Sequence, residues 1–194
     1  VSLFTLWFTI LRRGTIRSTH PAFIALRYDF VNKAFPQAKI FLRTLLFSTG
    51  KRGRVVESLF LRVREGEHQT EFSFWGMGDK DLVRGSGLLV SETGVVTNHH
   101  FNPLDADELF MFKPSTYSIE LVAKLLGRRK LMSLWRIPLQ IPVGAFDDNI
   151  TPDKVVFFNW SAERGRYIAS VESGPKASIQ DLSARLPLNE QQSW

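Results

Sequence analysis

Alternation of apolar and polar side chains with a period of two is the feature that most constrains the fold of this chain. Residues 54–64 form the clearest run, in which one face collects four apolar side chains, Val55, Leu59, Leu61 and Val63. Successive side chains of a strand point to opposite faces, so this run predicts a β-strand with one buried face. No stretch after residue 13 shows a comparable helical period.

Further short strands follow from the same pattern along most of the chain. The predicted strands are residues 22–28, 39–48, 54–64, 70–75, 88–90, 95–101, 117–125, 130–141, 155–160 and 167–171. Turn sequences at residues 50–53, 66–68 and 91–94 separate several of them and are typical of hairpins. This cadence indicates an all-β antiparallel sandwich or barrel, and of the two we expect an immunoglobulin-like β-sandwich.

An uncharged apolar run, VSLFTLWFTIL, precedes these strands and ends at Arg12 and Arg13. We expect an N-terminal apolar helix over residues 1–13. Its apolar part would reach only about 16 Å of a ~30 Å hydrocarbon core, so we interpret it as half of a longer membrane anchor. Positive residues flank membrane spans on the cytoplasmic side, so Arg12, Arg13 and Arg17 predict an inner-membrane anchor with the domain facing the cytoplasm. A short buried or amphipathic helix of a soluble domain is the alternative.

Charge is distributed unevenly along the chain. The formal net charge of +6 divides into +9 over residues 1–65 and −3 over residues 66–194. If the anchor is present, Lys51, Arg52 and Arg54 would lie near anionic lipid headgroups. Nucleic-acid binding is less expected, because the neighbouring aromatic side chains fall within predicted strands. The absence of cysteine excludes disulfides, zinc ribbons, iron–sulfur clusters and thiol catalysis.

Residues 85–101, GSGLLVSETGVVTNHHF, carry the one segment that suggests catalysis. They resemble the start of the trypsin-like HtrA serine proteases, and the resemblance implies that His100 is the general base. Such a mechanism also needs a serine nucleophile and an orienting carboxylate, for which the candidates are Ser173 and Asp147. The family's Gly-Asn/Asp-Ser-Gly-Gly is replaced here by the sequence ESGP around Ser173.

A second resemblance covers more of the chain. The apolar start, the sequences LVRGSGLLV and TNHHF, and their order are similar to an uncharacterised family of bacterial membrane-anchored proteins. The resemblance implies no activity. It does imply that the motif residues form one local unit, whose binding candidates are Arg84, Ser86, Asn98, His99 and His100.

Metal binding is not expected of the two adjacent histidines, because His99 and His100 of a strand point to opposite faces. We expect one to pack inside the domain and the other to face solvent, and we expect no cofactor.

The predicted organisation is an apolar helix (1–13), a linker (14–21), a β-sandwich domain (22–172) and a polar tail (173–194). The expected function is a non-catalytic, membrane-anchored binding or accessory module for a protein partner, with a small trypsin-like hydrolase as the alternative.

Overall fold

The computed structural model describes residues 2, 14–31, 35–77, 82–85, 87–104, 109–146, 151 and 153–173. These residues form strands and turns and contain no helix. The strands are β1 (Ile16–Ser18), β2 (Phe23–Val31), β3 (Phe35–Ser48), β4 (Arg54–Glu65), β5 (His68–Met77), β6 (Leu82–Arg84), β7 (Leu88–Val90), β8 (Val95–Pro103), β9 (Thr116–Leu125), β10 (Met132–Gln140), β11 (Lys154–Ser161) and β12 (Arg166–Ser173). Each predicted strand therefore has a counterpart, whereas β1 and β6 were not predicted.

All twelve strands belong to one antiparallel sheet that curls into a half-barrel. The strand order is β10-β9-β4-β5-β8-β3-β2-β11-β12, with β1 paired to β3, β6 to β5 and β7 to β4. The expected all-β antiparallel character is confirmed. The immunoglobulin-like sandwich is wrong, because the strands build one curled sheet and not two packed sheets.

The connections explain why the sandwich prediction fails. The turn at residues 66–67 joins β4 and β5 as a hairpin, but the turn at 49–53 joins β3 and β4, which are separated in the sheet by β5 and β8. Likewise, the turn at 91–94 joins β7, which pairs with β4, to β8, which pairs with β3 and β5. Glycine-containing turns of the same composition thus serve both hairpins and connections between strands that do not pair.

A β-bulge also changes which face of β4 is buried. The register against β9 shifts between Val56 and Ser58. An extra residue on one strand reverses the alternation beyond it. Leu59, Leu61 and Val63, which follow the bulge, are therefore buried as predicted. Before the bulge, Val56 faces inward and Val55 is exposed.

The main hydrophobic core lies on one face of the sheet, called here the inner face. It includes Leu26, Leu42, Leu61, Phe72 and Phe101, all almost fully buried. Residues 109–113 add aromatic side chains to this core. The backbone N–H of Phe112 donates to the Tyr28 hydroxyl at 2.5 Å, which fixes this segment against β2.

The outer face carries a second, smaller cluster of buried side chains on neighbouring strands. Its members are Phe23, Ala25, Phe41, Val155 and Phe157. Directly paired residues of antiparallel strands share a face, and the register pairs Phe157 with Ala25, Ala25 with Phe41 and Phe41 with His100. His100 therefore belongs to the outer face.

The two ends of the chain fall largely outside the described residues. The predicted helix over 1–13 is described only at Ser2, and residues 174–194 of the predicted tail are also outside. In the part of the chain that the structure describes, no helix has the length and apolar character needed to cross a membrane. Within the predicted linker, Ile16–Ser18 form β1 and pair with the end of β3.

Candidate functional site

Gly85 and His99 of the motif segment meet around the ring of Phe74 on β5. The Gly85 N–H donates to the Phe74 carbonyl at 3.0 Å, and the His99 ring lies 5.4 Å from the Phe74 ring. A Cβ at Gly85 would lie 2.5 Å from Cδ1 of Phe74, so only glycine allows this approach. Packing against Phe74 thus explains the glycine at position 85.

Trp75 lies between two strands that carry motif residues, β6 with Arg84 and β8 with His100. The register pairs Trp75 with His100 on one side and with Arg84 on the other. Asn98 pairs with Arg43 of β3, two positions from His100 on the same strand. The structure therefore brings Arg84, Gly85, His99 and His100 together around β5, while Ser86 lies outside the described residues.

Both histidines are buried, so the prediction that one faces solvent is wrong. His99 points to the inner face, where its ring contacts Phe74 and Phe101. His100 points to the outer face, with its ring 4.8 Å from that of Phe41. Aromatic side chains cover both faces of the sheet at this point. The two histidines point to opposite faces, and each is therefore buried.

The surroundings of His100 keep its imidazole neutral at physiological pH. Burial, followed by the positive charge of Lys39, lowers the pKa of His100 to about 4, although Asp29 opposes this shift. Lys39 and Arg27 both pair with Asp29, with N···O distances of 2.7 and 2.6 Å. An efficient general base at neutral pH has a pKa near 7, so His100 is poorly suited to that role.

The structure does not bring the predicted catalytic residues together. His100 shares the outer face with Phe157, and Phe157 pairs with Ser170. Ser173 is an odd number of residues further along β12, so its side chain points to the opposite face. Three strands separate β8 from β12, and Asp147 lies outside the described residues.

A gap separates the two ends of the described sheet. Among the described strands, β10 pairs only with β9 and β12 only with β11. Near the start of the chain the gap is bridged, because the Thr15 hydroxyl donates to Sδ of Met132 at 3.3 Å. Elsewhere the two edges flank a groove of about 310 Å³, called here the edge groove.

The edge groove combines an apolar lining with positive charge. Leu139 and Phe158 provide buried apolar surface, and Tyr167 and Ala169 contribute from β12. Arg164, in the turn before β12, and Arg166, the first residue of β12, also line the groove and are both exposed. The Tyr167 hydroxyl donates to the Pro21 carbonyl at 2.7 Å, which fixes the ring of this lining residue.

No local sequence pattern marks the edge groove. Its lining residues are far apart in the chain, between Pro138 and Pro142 and between Phe158 and Ala169. Pro138 was a partial signal, since proline within a strand favours a sheet edge.

The predicted basic residue Arg17 is exposed on β1, while Arg12 and Arg13 lie outside the described residues.

Metal-binding side chains do not cluster in the described part of the chain. No three residues among histidine, aspartate and glutamate come close enough there to hold an ion. Comparison with known proteins adds no assignment, since no protein-family model, curated protein or solved structure matches the chain.

Proposed function

We propose that this chain is a non-catalytic, membrane-anchored binding module that takes an extended, acidic segment of a partner protein in the edge groove. The observation that carries the proposal is the groove itself, where β10 and β12 face each other without pairing. An open strand edge presents unpaired N–H and C=O groups to an added strand.

Addition of a peptide strand to β12 suits the chemistry of this edge. Main-chain hydrogen bonds give such complexes affinity, and alternate side chains entering pockets give specificity. Here every second peptide side chain would meet the partly exposed apolar lining formed by Pro142, Tyr167 and Ala169. Carboxylates at one end of the peptide would pair with Arg164 and Arg166, because guanidinium groups bind carboxylates with two parallel hydrogen bonds.

Membrane anchoring is supported by the sequence at the start of the chain. The apolar residues 1–11 followed by Arg12 and Arg13 fit the cytoplasmic end of an inner-membrane span. Arg17, the next basic residue, is exposed on β1. The domain would then sit at the cytoplasmic surface of the bilayer with its edge groove accessible to a protein partner.

The hydrolase alternative has less support. A triad needs a nucleophile and base within about 3 Å of each other, whereas His100 and Ser173 point to opposite faces of the sheet. The pKa of His100, about 4, also disfavours proton abstraction at neutral pH.

The proposal is tested by selecting linear peptides from a displayed random library on the full chain held in nanodiscs. We expect the selected peptides to carry acidic residues next to alternating apolar residues. Their affinity should fall at least about tenfold in Arg164→Glu/Arg166→Glu, as expected for the loss of charge-assisted pairs. The matched control, Arg64→Glu/Lys113→Glu, reverses two exposed charges away from the groove and should leave affinity unchanged.

Two results would contradict the proposal. One is peptide binding that both charge-reversal variants affect equally, which would indicate a nonspecific electrostatic interaction. The other is hydrolysis of a casein substrate that is lost in both His100→Ala and Ser173→Ala, which would establish the hydrolase.

A further inference from the structure

We propose that one end of the half-barrel docks directly on the surface of an anionic lipid bilayer. This end, called here the basic end, consists of residues 14–17 and the turns at 49–53, 91–94 and 126–131. The inference rests on the membrane part of the proposed function, and it adds the orientation of the domain and the residues that contact lipid.

Backbone contacts show that these segments lie at one end. The Thr49 N–H donates to the Thr15 carbonyl and the Ser48 N–H to the Ser91 carbonyl, both at 2.8 Å. The Leu126 N–H donates to the Val55 carbonyl at 3.0 Å, which places the β9–β10 turn beside the start of β4. Segments separated by more than a hundred residues in the chain therefore form one continuous surface.

The basic end carries a concentrated positive charge. Its basic residues are Arg17, Lys51, Arg52, Arg128, Arg129 and Lys130. In the described segments of this end the one acidic residue is Glu92. Glu57 lies nearby on β4, where Lys124 pairs with its carboxylate at 3.4 Å. Each lysine or arginine close to an anionic bilayer contributes about 1 kcal/mol of attraction, so this set suffices for stable surface association.

Exposed aliphatic side chains lie among these charges. Leu126 and Leu131 flank the arginines of the β9–β10 turn, and Leu89 and Val96 lie at the ends of β7 and β8 that meet the basic end. Val55, turned outward by the β-bulge, pairs with Leu89. Basic residues mixed with apolar side chains are typical of surfaces that enter the headgroup region of a membrane.

The opposite end of the strands shows that charge, and not apolar exposure, distinguishes the basic end. Leu104 and Leu109 are 49% and 60% exposed near that opposite end, as much as Leu131 and Leu126 at 46% and 60%. The β4–β5 turn there carries Glu65 and Glu67. Arg64 and Lys113 at that end offset these two glutamates, so an anionic bilayer attracts the basic end and has little net attraction for the opposite end.

Covalent connectivity agrees with this orientation. Gly14, the residue that follows the apolar run and its arginine pair, packs against Gly50 in the basic end. A membrane anchor formed by residues 1–11 would thus attach to the domain at the surface that carries the positive charge. Lipid is favoured over nucleic acid, because the exposed apolar side chains of the basic end are aliphatic and offer no ring for base stacking.

The experiment uses the absence of native cysteine to label the full chain at one introduced thiol. Thr93→Cys places an environment-sensitive fluorophore at the basic end, and His68→Cys places it in the β4–β5 turn region. Both native residues are exposed. Vesicles contain phosphatidylcholine with or without phosphatidylglycerol, together with a lipid that carries a collisional quencher.

We expect quenching of the label at position 93, dependent on phosphatidylglycerol, and little quenching at position 68. Quenching at position 93 should fall several-fold in Arg128→Gln/Arg129→Gln but not in Arg64→Gln/Lys113→Gln, which removes the same charge elsewhere. It should also fall in Leu126→Ser/Leu131→Ser but not in the exposure-matched Leu104→Ser/Leu109→Ser.

The possible failures are distinguishable. Vesicle association without quenching at position 93, or equal quenching at both positions, would overturn docking and leave the membrane anchor intact. No association with either vesicle type would overturn both docking and the membrane part of the proposed function. Tighter binding to a short DNA duplex than to anionic vesicles at equal ionic strength, lost in Arg128→Gln/Arg129→Gln, would assign the basic end to nucleic acid and overturn the lipid proposal.

Discussion

Trp75 and His100 face each other directly across two antiparallel strands, and each buries a ring nitrogen. Nε1 of Trp75 and Nδ1 of His100 make no hydrogen bond with the described residues. A buried polar group without a partner lowers stability, and for a histidine the loss grows when the ring becomes charged. Burial of His100 therefore makes the stability of the domain sensitive to mild acid.

The first prediction concerns this sensitivity. The pKa of His100 is lowered from 6.5 to about 4 in the folded state, so between these pH values the unfolded chain binds a proton that the folded chain does not. The free energy of unfolding should therefore fall by roughly 3 kcal/mol as pH decreases from about 6.5 to 4. Above pH 6.5, His100 should cause no change of this free energy with pH.

Urea unfolding across this pH range measures the effect. His100→Gln should flatten the pH dependence, while His68→Gln, at an exposed histidine, should leave it as in the parent chain. An unchanged slope in His100→Gln would show that His100 is not the responsible group.

The second prediction concerns Glu120, a buried carboxylate on the outer face. Its oxygens lie 3.1 Å from Nη2 of Arg136 and 3.7 Å from Nη1 of Arg62. Burial alone would raise the pKa of Glu120, but hydrogen bonds from Ser133 and Arg136 and the charges of both arginines outweigh it and lower the pKa. Glu120→Gln should therefore reduce the free energy of unfolding by about 1–3 kcal/mol at pH 7.

The pH dependence of this loss has a definite sign. Because the folded pKa of Glu120 is lowered, its contribution is complete above the unfolded value of 4.5 and disappears as pH falls below it. Glu57→Gln breaks the exposed pair with Lys124 and is the control, with an expected change below about 0.5 kcal/mol. Equal effects of the two substitutions in urea unfolding would contradict the role assigned to Glu120.

The third prediction concerns the glycine of the motif. Gly85→Ala should lower the free energy of unfolding by about 1–3 kcal/mol, because the added methyl overlaps the Phe74 ring. Gly76→Ala is the matched control, since its Cβ would lie 3.6 Å from the same ring, an ordinary contact. A smaller cost of Gly85→Ala in a Phe74→Leu background would identify the clash, and equal costs in both backgrounds would exclude it.

The strands could be predicted because their alternation is local, but the pairing of the strands could not. Leu59, Leu61 and Val63 mark a buried face whatever lies beside β4. Turns such as 50–53 and 91–94 have the composition of hairpins yet connect strands that do not pair. A sandwich and a curled single sheet therefore produce the same sequence pattern, and tertiary packing decides between them.

The exposure of Val55 shows a second limit. The alternation predicts that Val55 is buried with Leu59, but the bulge between Val56 and Ser58 reverses the faces above it. A bulge depends on the register with the partner strand and leaves no clear local signal.

The candidate surfaces are hidden from sequence reasoning for a related reason. The edge groove joins the segments around Leu139 and Tyr167, and the basic end joins turns near residues 51 and 129. The positive charge of residues 1–65 is visible in the sequence, but Arg128, Arg129 and Lys130 belong to residues 66–194, which have a net negative charge. Only the topology shows that these residues share a surface with Lys51 and Arg52.

Backbone amide chemical shifts locate a bound peptide on the domain and so test binding in the edge groove directly. A selected acidic peptide is titrated into the isotope-labelled full chain. If the peptide binds in the edge groove, the largest shift changes follow β12 from Arg166 to Val171 and β10 from Trp135 to Gln140. Shift changes centred instead on His100 and Trp75, or on the basic end, would contradict binding in the edge groove.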